Sequence, residues 1–237
     1  MRRPSGVIFD LGGTVLHLES AIAVDGNRKL LEFVDNDADI AVDDIQSMVE
    51  EMSNSTFKIA DESAVQVRIQ DFYRLMFETL GLSFSIDYPE MERQFWNAAM
   101  KYSPNDGIYD VLDTLDKFGI RTGILSNSGF SGDVLLEELE KHNLSHRFSF
   151  LVSTADYGIR KPSKYIFDVA VKKMGLEPEN IWFAGDKIEY DVQGAINAGL
   201  FPVFYNWRNE TVHVDREFLE VKDWYEFCDK IGLLYTV

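Results

Sequence analysis

Short apolar runs alternate with amphipathic segments along most of the chain. Val7-Ile8-Phe9 is one such run, and it stops at Asp10 and the pair Gly12-Gly13. Ile108, Val111, Leu112, Leu115 and Phe118 then recur at helical spacing, with Gly119 as a stop signal. The run 122–125 ends at Ser126-Asn127, and Val134, Leu135 and Leu139 mark the next helix. A strand is predicted over 148–152. Tyr165, Ile166, Val169 and Ala170 share a helix face that closes at Gly175. Ile181-Trp182-Phe183-Ala184 is a strand ending at Gly185-Asp186, a helix runs on to Ala198-Gly199, and 201–205 is a further strand. Strands separated by helices of this length predict a parallel α/β sheet.

The stretch 18–104 breaks that rhythm, being helical in pattern with little strand character. Asp43 and Gln46 suit a capping box before Ile45, Met48, Val49 and Met52. Val65, Ile69, Phe72, Leu75 and Met76 form a second stripe, and Met91, Phe95 and Ala98 a third. The expected organisation is therefore a core domain of 1–17 plus 105–237, interrupted by an inserted helical cap over 18–104. Stripes of this kind are ordinarily core rather than a ligand box.

Charge and composition narrow the function. The 237 residues carry 23 Lys and Arg against 40 Asp and Glu, a net charge of −17. Such a chain is a poor ligand for nucleic acid, whose phosphates need a basic surface. No run approaches the roughly 18 apolar residues of a membrane span, and Asp10 cuts short the apolar run near the amino end. A lone cysteine, Cys228, leaves no internal disulfide and suits a reducing compartment. The expectation is a cytoplasmic protein, monomer or homodimer, without nucleic acid or membrane partners. Residues 16–104 hold 17 acidic and 7 basic residues, a net of −10, so most of the excess lies on the insertion.

In a parallel sheet the carboxyl ends of all strands lie on one edge, where ligands bind. Asp10, Ser126, the Arg160-Lys161 pair and Asp186 would converge there. The gaps between Asp10, Ser126, Lys161 and Asp186 are 116, 35 and 25 residues. The last two each suit one βα unit, and the first contains the insertion. Two carboxylates about 4 Å apart repel by about 4 kcal/mol at an effective dielectric of 20. A cluster of Asp10, Asp186 and Asp191 therefore calls for a cation or raised pKa values. Lys161 supplies one charge, and Mg2+, which takes one or two carboxylates with water and substrate phosphate, would supply more. Gly12 and Gly13 leave backbone amides open to an anion, and Ser126 adds a hydroxyl.

At these residues the chain resembles the haloacid dehalogenase-like hydrolase superfamily. The segment 9–15 (Phe9-Asp10-Leu11-Gly12-Gly13-Thr14-Val15) is similar to its first motif, and Ile124-Leu125-Ser126-Asn127 to its second. Arg160-Lys161-Pro162 resembles the third. Gly185-Asp186 through Asp191, with Gly194-Ala195 and Ala198-Gly199, resembles the fourth. The branch it looks most like is that of phosphoglycolate-phosphatase-like enzymes with a helical cap. The resemblance implies an α/β Rossmann-like core and a Mg2+-dependent phosphatase acting on a small phosphorylated metabolite. It implies Asp10 as the nucleophile that becomes an aspartyl-phosphate. Asp10, Asp186 and the Gly12 carbonyl would hold Mg2+. Leu11, Gly12, Ser126, Asn127 and Lys161 would bind the phosphate, with Lys161 offsetting charge in the reaction. Asp191 would support the fourth motif.

Gly12 departs from the family pattern, which places an aspartate there to protonate the leaving group. General acid–base catalysis typically contributes about 10²–10⁴-fold. His17 and Glu19 are the nearby groups that could stand in. Two alternatives follow: a non-catalytic or very slow phosphate binder, and a 2-haloacid dehalogenase, which lacks the second aspartate and needs no metal. Arg28, Lys29, Lys58, Arg68 and Arg74 are the cap cations that could face a substrate, and Arg208 could meet its anion from the core.

Overall fold

The structure is a computed structural model. It describes residues 2–36 and 40–236, without the side chains of 55–62 and 236. Six parallel strands form the main sheet: β1 (Gly6–Phe9), β4 (Arg121–Ser126), β5 (Leu151–Ser153), β6 (Ile181–Gly185), β7 (Phe201–Tyr205) and β8 (Leu219–Val221). Their order is β5-β4-β1-β6-β7-β8. Every residue of β1 and β6 is buried, because helices cover both faces of the sheet and an all-apolar run suits a strand with no wet side. The helices are α5 (Ile108–Lys117), α6 (Gly132–Lys141), α7 (Lys164–Met174), α8 (Gln193–Ala198) and α9 (Trp224–Thr236). The two apolar layers centre on Phe9, Trp182 and Trp224 on one face, and on Ile8, Phe167 and Phe183 on the other.

The tail after β7 belongs to this core. Trp224 stacks on Tyr205 with centroids 4.3 Å apart, and its indole N–H donates to the Thr14 carbonyl at 3.2 Å. The carboxyl-terminal helix thereby props the loop that follows β1.

The insertion differs from its sequence pattern in one respect. Its two ends pair as an antiparallel ribbon, β2 (Leu16–Ala21) with β3 (Met100–Pro104). Neither strand has a continuous apolar run, since mutual pairing rather than burial holds them. Between them lie α1 (Ala23–Leu31), α2 (Val42–Ser63), α3 (Ile69–Thr79) and α4 (Tyr88–Ala99), packed around Leu30, Ile45, Met76, Phe77 and Phe95.

Several local expectations shift. Helix α2 starts at Val42, so Asp44, not Gln46, lies where it can close on the cap; its carboxylate accepts from the Ala41 amide at 3.0 Å. Gln46 instead accepts from buried Asn27 at 3.1 Å. Val65 precedes α3, Leu75 is exposed, and Ala99 rather than Ala98 faces inward. The strand predicted over 148–152 is found at 151–153, after a 3₁₀ turn at Ser145–Arg147.

The insertion docks on α6 through buried polar contacts. Glu92 accepts from the Ser131 amide at 2.7 Å and the Ser131 hydroxyl at 2.6 Å. Trp96 donates its indole N–H to Glu138 at 2.8 Å. Each buried carboxylate is thus satisfied by hydrogen bonds, which burial of a charge demands.

Candidate active site

The carboxyl edge of β1, β4 and β6 delivers Asp10, Ser126 and Asp186 to one cavity of about 220 Å³. Lys161 reaches it from the loop before α7, and Asp191 from a π-helical turn at Ile188–Val192. Such turns recur at functional sites because the extra residue re-aims a side chain.

Lys161 is fully enclosed, and its ammonium donates to Asp10 Oδ1 at 2.7 Å and to Asp191 Oδ1 at 2.6 Å. Burial alone would lower this lysine. The two carboxylates outweigh it and hold the ammonium above its ordinary pKa. Burial pushes the Asp10 carboxyl up to about 7; the Lys161 charge opposes this, and the Asp191 and Asp186 charges add to it. Asp191 is fixed at its other oxygen, which accepts the Lys187 amide at 3.0 Å.

Glycines make the carboxylates' close approach feasible. A Cβ on Gly13, at φ +84°, would stand 2.6 Å from Asp186 Oδ2, and one on Gly185 would stand 2.3 Å from the Asp191 carboxyl carbon. Gly12 is different: a Cβ there meets nothing within 4 Å.

The expected anion cradle is half as large as the sequence suggested. The Gly13 amide donates to the Leu16 carbonyl at 2.7 Å, because the chain turns back into the ribbon there. The amides of Leu11 and Gly12 have no acceptor among the described residues. The buried Ser126 hydroxyl likewise has none. Asn127 spends its side chain on the Lys161 backbone, accepting from the amide at 2.8 Å and donating to the carbonyl at 3.2 Å. It thereby ties the end of β4 to the lysine loop.

Single oxygens of Asp10, Asp186 and Asp191 lie within 4.8 Å of one another. Asp186 Oδ1 is buried and makes no hydrogen bond. An orphaned carboxylate oxygen inside an acidic cluster is costly, and a divalent cation is the group that would satisfy it. The donor set therefore fits a hard divalent metal, held by oxygens of Asp10 and Asp186.

Arg208 enters the site where sequence gave it only a place near a substrate anion. Its guanidinium donates to Asp186 Oδ2 at 2.7 Å and lies over the Trp207 ring at 4.2 Å. His17 and Glu19 stay outside. His17 is exposed beside Trp207, and Glu19 pairs with Lys101 at 2.7 Å. The cap cations also turn away from the cavity. Arg28 pairs with Asp25, Lys29 with Glu32 and Arg74 with Glu78, while Arg68 donates to Gln70. The side chain of Lys58 is outside the described residues. What the insertion and its ribbon do contribute to the cavity is Leu16, Trp96 and Tyr102. No periodicity flagged these, since the ribbon's pairing brings them there.

Known proteins place this geometry. The family model described as haloacid dehalogenase-like hydrolase matches residues 7–204. The chain belongs to that family. It is 30% identical over 113 residues to the glyceraldehyde 3-phosphate phosphatase of Methanothermobacter thermautotrophicus, covering 46% of this chain and 47% of that protein. The chain thus spans about half the length of that phosphatase. It is 25% identical over 238 residues to the (S)-2-haloacid dehalogenase of Pseudomonas fluorescens, with 94% and 97% covered. The solved structure of 2-haloacid dehalogenase from Pseudomonas syringae pv. Tomato DC3000 shares the fold at a TM-score of 0.67, 18% identity and full coverage of both chains. No described helix is long and apolar enough to cross a membrane.

The raised Asp10 carboxyl has a consequence for stability. The folded state holds this proton between pH 3.8 and about 7, where the unfolded chain has lost it. Its contribution to stability is full below 3.8 and is lost as pH rises through about 7. Thermal melts without metal are expected to show Asp10→Asn gaining on the wild type over that window. The gain is on the order of 4 kcal/mol by pH 8. A constant difference across pH would contradict the raised carboxyl.

Proposed function

We propose that this chain is a Mg2+-dependent phosphatase of a small phosphorylated metabolite, working through an aspartyl-phosphate on Asp10. The orphaned Asp186 Oδ1 beside Asp10 carries the reading, since attack on a carbon–halogen bond needs no cation there. A phosphatase among the relatives supports it. We propose further that 18–104 acts as the cap over a core of 1–17 and 105–237.

In this reading Asp10 attacks phosphorus and carries the phosphoryl group until water releases it. Bound Mg2+ would neutralise charge on the nucleophile and the phosphoryl oxygens. The Lys161 ammonium holds the Asp10 carboxylate in place and stays charged as negative charge gathers on the phosphoryl group. The amides of Leu11 and Gly12 and the Ser126 hydroxyl have open donors for the phosphoryl oxygens. Among the described cap side chains none brings a cation to the cavity, and Leu16, Leu135 and Trp96 form an apolar part of its wall, while Arg160 and Lys187 line it from the core. The alcohol part of the substrate is therefore small, which disfavours nucleotides.

The test is release of phosphate from 4-nitrophenyl phosphate with Mg2+ and with EDTA. Activity is expected with Mg2+ and not with EDTA. The second reading, dehalogenation, rests on Gly12 and on a dehalogenase relative that covers nearly the whole chain. Halide release from 2-chloropropionate that EDTA leaves untouched would establish it and remove the phosphatase.

Arg208 gives an independent check on the metal. Its guanidinium holds one oxygen of Asp186, so it competes with a cation for that carboxylate. Arg208→Gln is expected to tighten Mg2+ binding roughly tenfold in calorimetry, about 1.4 kcal/mol. Weaker or unchanged binding would show that Arg208 supports the site instead.

A further inference from the structure

The phosphatase reading leaves one proton unassigned. A departing alkoxide needs one, and Gly12 has no side chain to give it. The cavity wall holds few groups able to. The Lys161 ammonium is committed to Asp10 and Asp191. Arg160 does not release a proton in a protein. Lys187 is half exposed and leans on Asp186 at 4.0 Å. Tyr190 lies against the Arg160 guanidinium, with 5.5 Å from its ring centre to the guanidinium carbon.

Tyr102 is placed differently. It sits on β3, opposite Leu18 of the ribbon, and is half-buried against the cavity that holds Asp10. Its ring lies flat on Trp96, with centroids 5.3 Å apart and planes 5° from parallel. Trp96 is itself pinned by its indole hydrogen bond to Glu138. The ring is thus held in one orientation on the cap side of the cavity. Its hydroxyl, like that of Tyr190, has no hydrogen-bond partner among the described residues, but only the Tyr102 ring is clamped by stacking on a fixed neighbour. A polar group held this firmly and left unpartnered at a cavity wall points to a ligand atom.

We propose, resting on the phosphatase reading, that Tyr102 protonates the leaving oxygen and so replaces the acid absent at Gly12. As Asp10 Oδ bonds to phosphorus, the ester P–O bond breaks and its electron pair takes the Tyr102 proton, giving the free alcohol and a phenoxide. Water then attacks the aspartyl-phosphate and gives its proton to the phenoxide. The P–O bond to Asp10 breaks, releasing phosphate and restoring both the carboxylate and the phenol. Burial pushes the phenol up to about 12, and the Glu138 and Asp10 charges add to this, so the proton is in place at neutral pH. An alkanol is a weaker acid still, so the transfer to its alkoxide runs downhill.

The experiment compares two esters with Mg2+. Benzyl phosphate releases a poor leaving group that needs protonation, and 4-nitrophenyl phosphate a good one that does not. Tyr102→Phe is expected to lower kcat on benzyl phosphate about 100-fold, and to leave 4-nitrophenyl phosphate within about threefold. Adding Gly12→Asp to Tyr102→Phe should restore benzyl phosphate turnover, because the space beside Gly12 is open. Equal losses on both esters would mean that Tyr102 only packs, and would overturn the assignment. So would a leaving-group-dependent loss that appears in Tyr190→Phe instead. If the wild type hydrolyses neither ester, the phosphatase reading itself fails, and this assignment falls with it.

Discussion

Asp10→Asn is expected to reduce Mg2+-dependent hydrolysis of 4-nitrophenyl phosphate by about 10⁴-fold or more. An amide oxygen in the same place is a far weaker nucleophile, and loss of a covalent nucleophile removes the whole two-step route rather than one contact along it. The substitution is nearly isosteric, and the Lys161 ammonium keeps its second partner, Asp191, at 2.6 Å. The folded structure should therefore survive, and far-UV circular dichroism would confirm it. Rapid acid quenching of the wild type should also trap phosphate on the protein, and Asp10→Asn should trap none. Equal rates in the two proteins would remove Asp10 as the nucleophile.

Lys161→Met should cost the most stability. Methionine fills much of the same volume, but it leaves the Asp10 and Asp191 carboxylates buried without their shared cation. Breaking a buried pair by removing one partner typically costs about 3–5 kcal/mol. The carboxylates should respond by binding protons, so the penalty is largest at high pH and shrinks as pH falls. Denaturant melts at pH 8 and pH 5 would show the two curves closing on each other. Added Mg2+ should return part of the loss at pH 8, because a second cation then faces the same carboxylates. A pH-independent penalty would mean that lysine's contribution is packing. Activity should be lost as well, since no other ammonium contacts Asp10 among the described residues.

These expectations draw on parts of the molecule that were unequally visible in the sequence. The centre of the sheet was legible because its strands are buried on both faces, whereas β5 was shifted and β8 missed, both being short and partly exposed. Gly6–Phe9 and Ile181–Gly185 read as apolar runs, and each run stops at the polar residue that the sheet edge presents. The insertion announced itself as a gap too long for one βα unit. Its ribbon did not, because Leu16–Ala21 and Met100–Pro104 are held by each other and lack an apolar face. The second turn of the Gly12-Gly13 loop was equally hidden: the Gly13 amide is taken by Leu16, and no local signal reports that partner.

By itself, then, the sequence determined the ends of β1, β4 and β6, and with them the convergence of Asp10, Ser126 and Asp186 on one edge. Local patterning suffices there, since parallel pairing aligns the ends of buried strands whatever lies between them. Only the tertiary structure decided how the charges are shared: Lys161 between Asp10 and Asp191, Arg208 on one oxygen of Asp186, and the other oxygen left open. It alone also turned the cap's arginines away from the cavity and set Tyr102 on Trp96 at its wall. Those outcomes depend on contacts between residues up to 151 positions apart, and hydrophobic period carries no information about which polar side chain meets which across such distances.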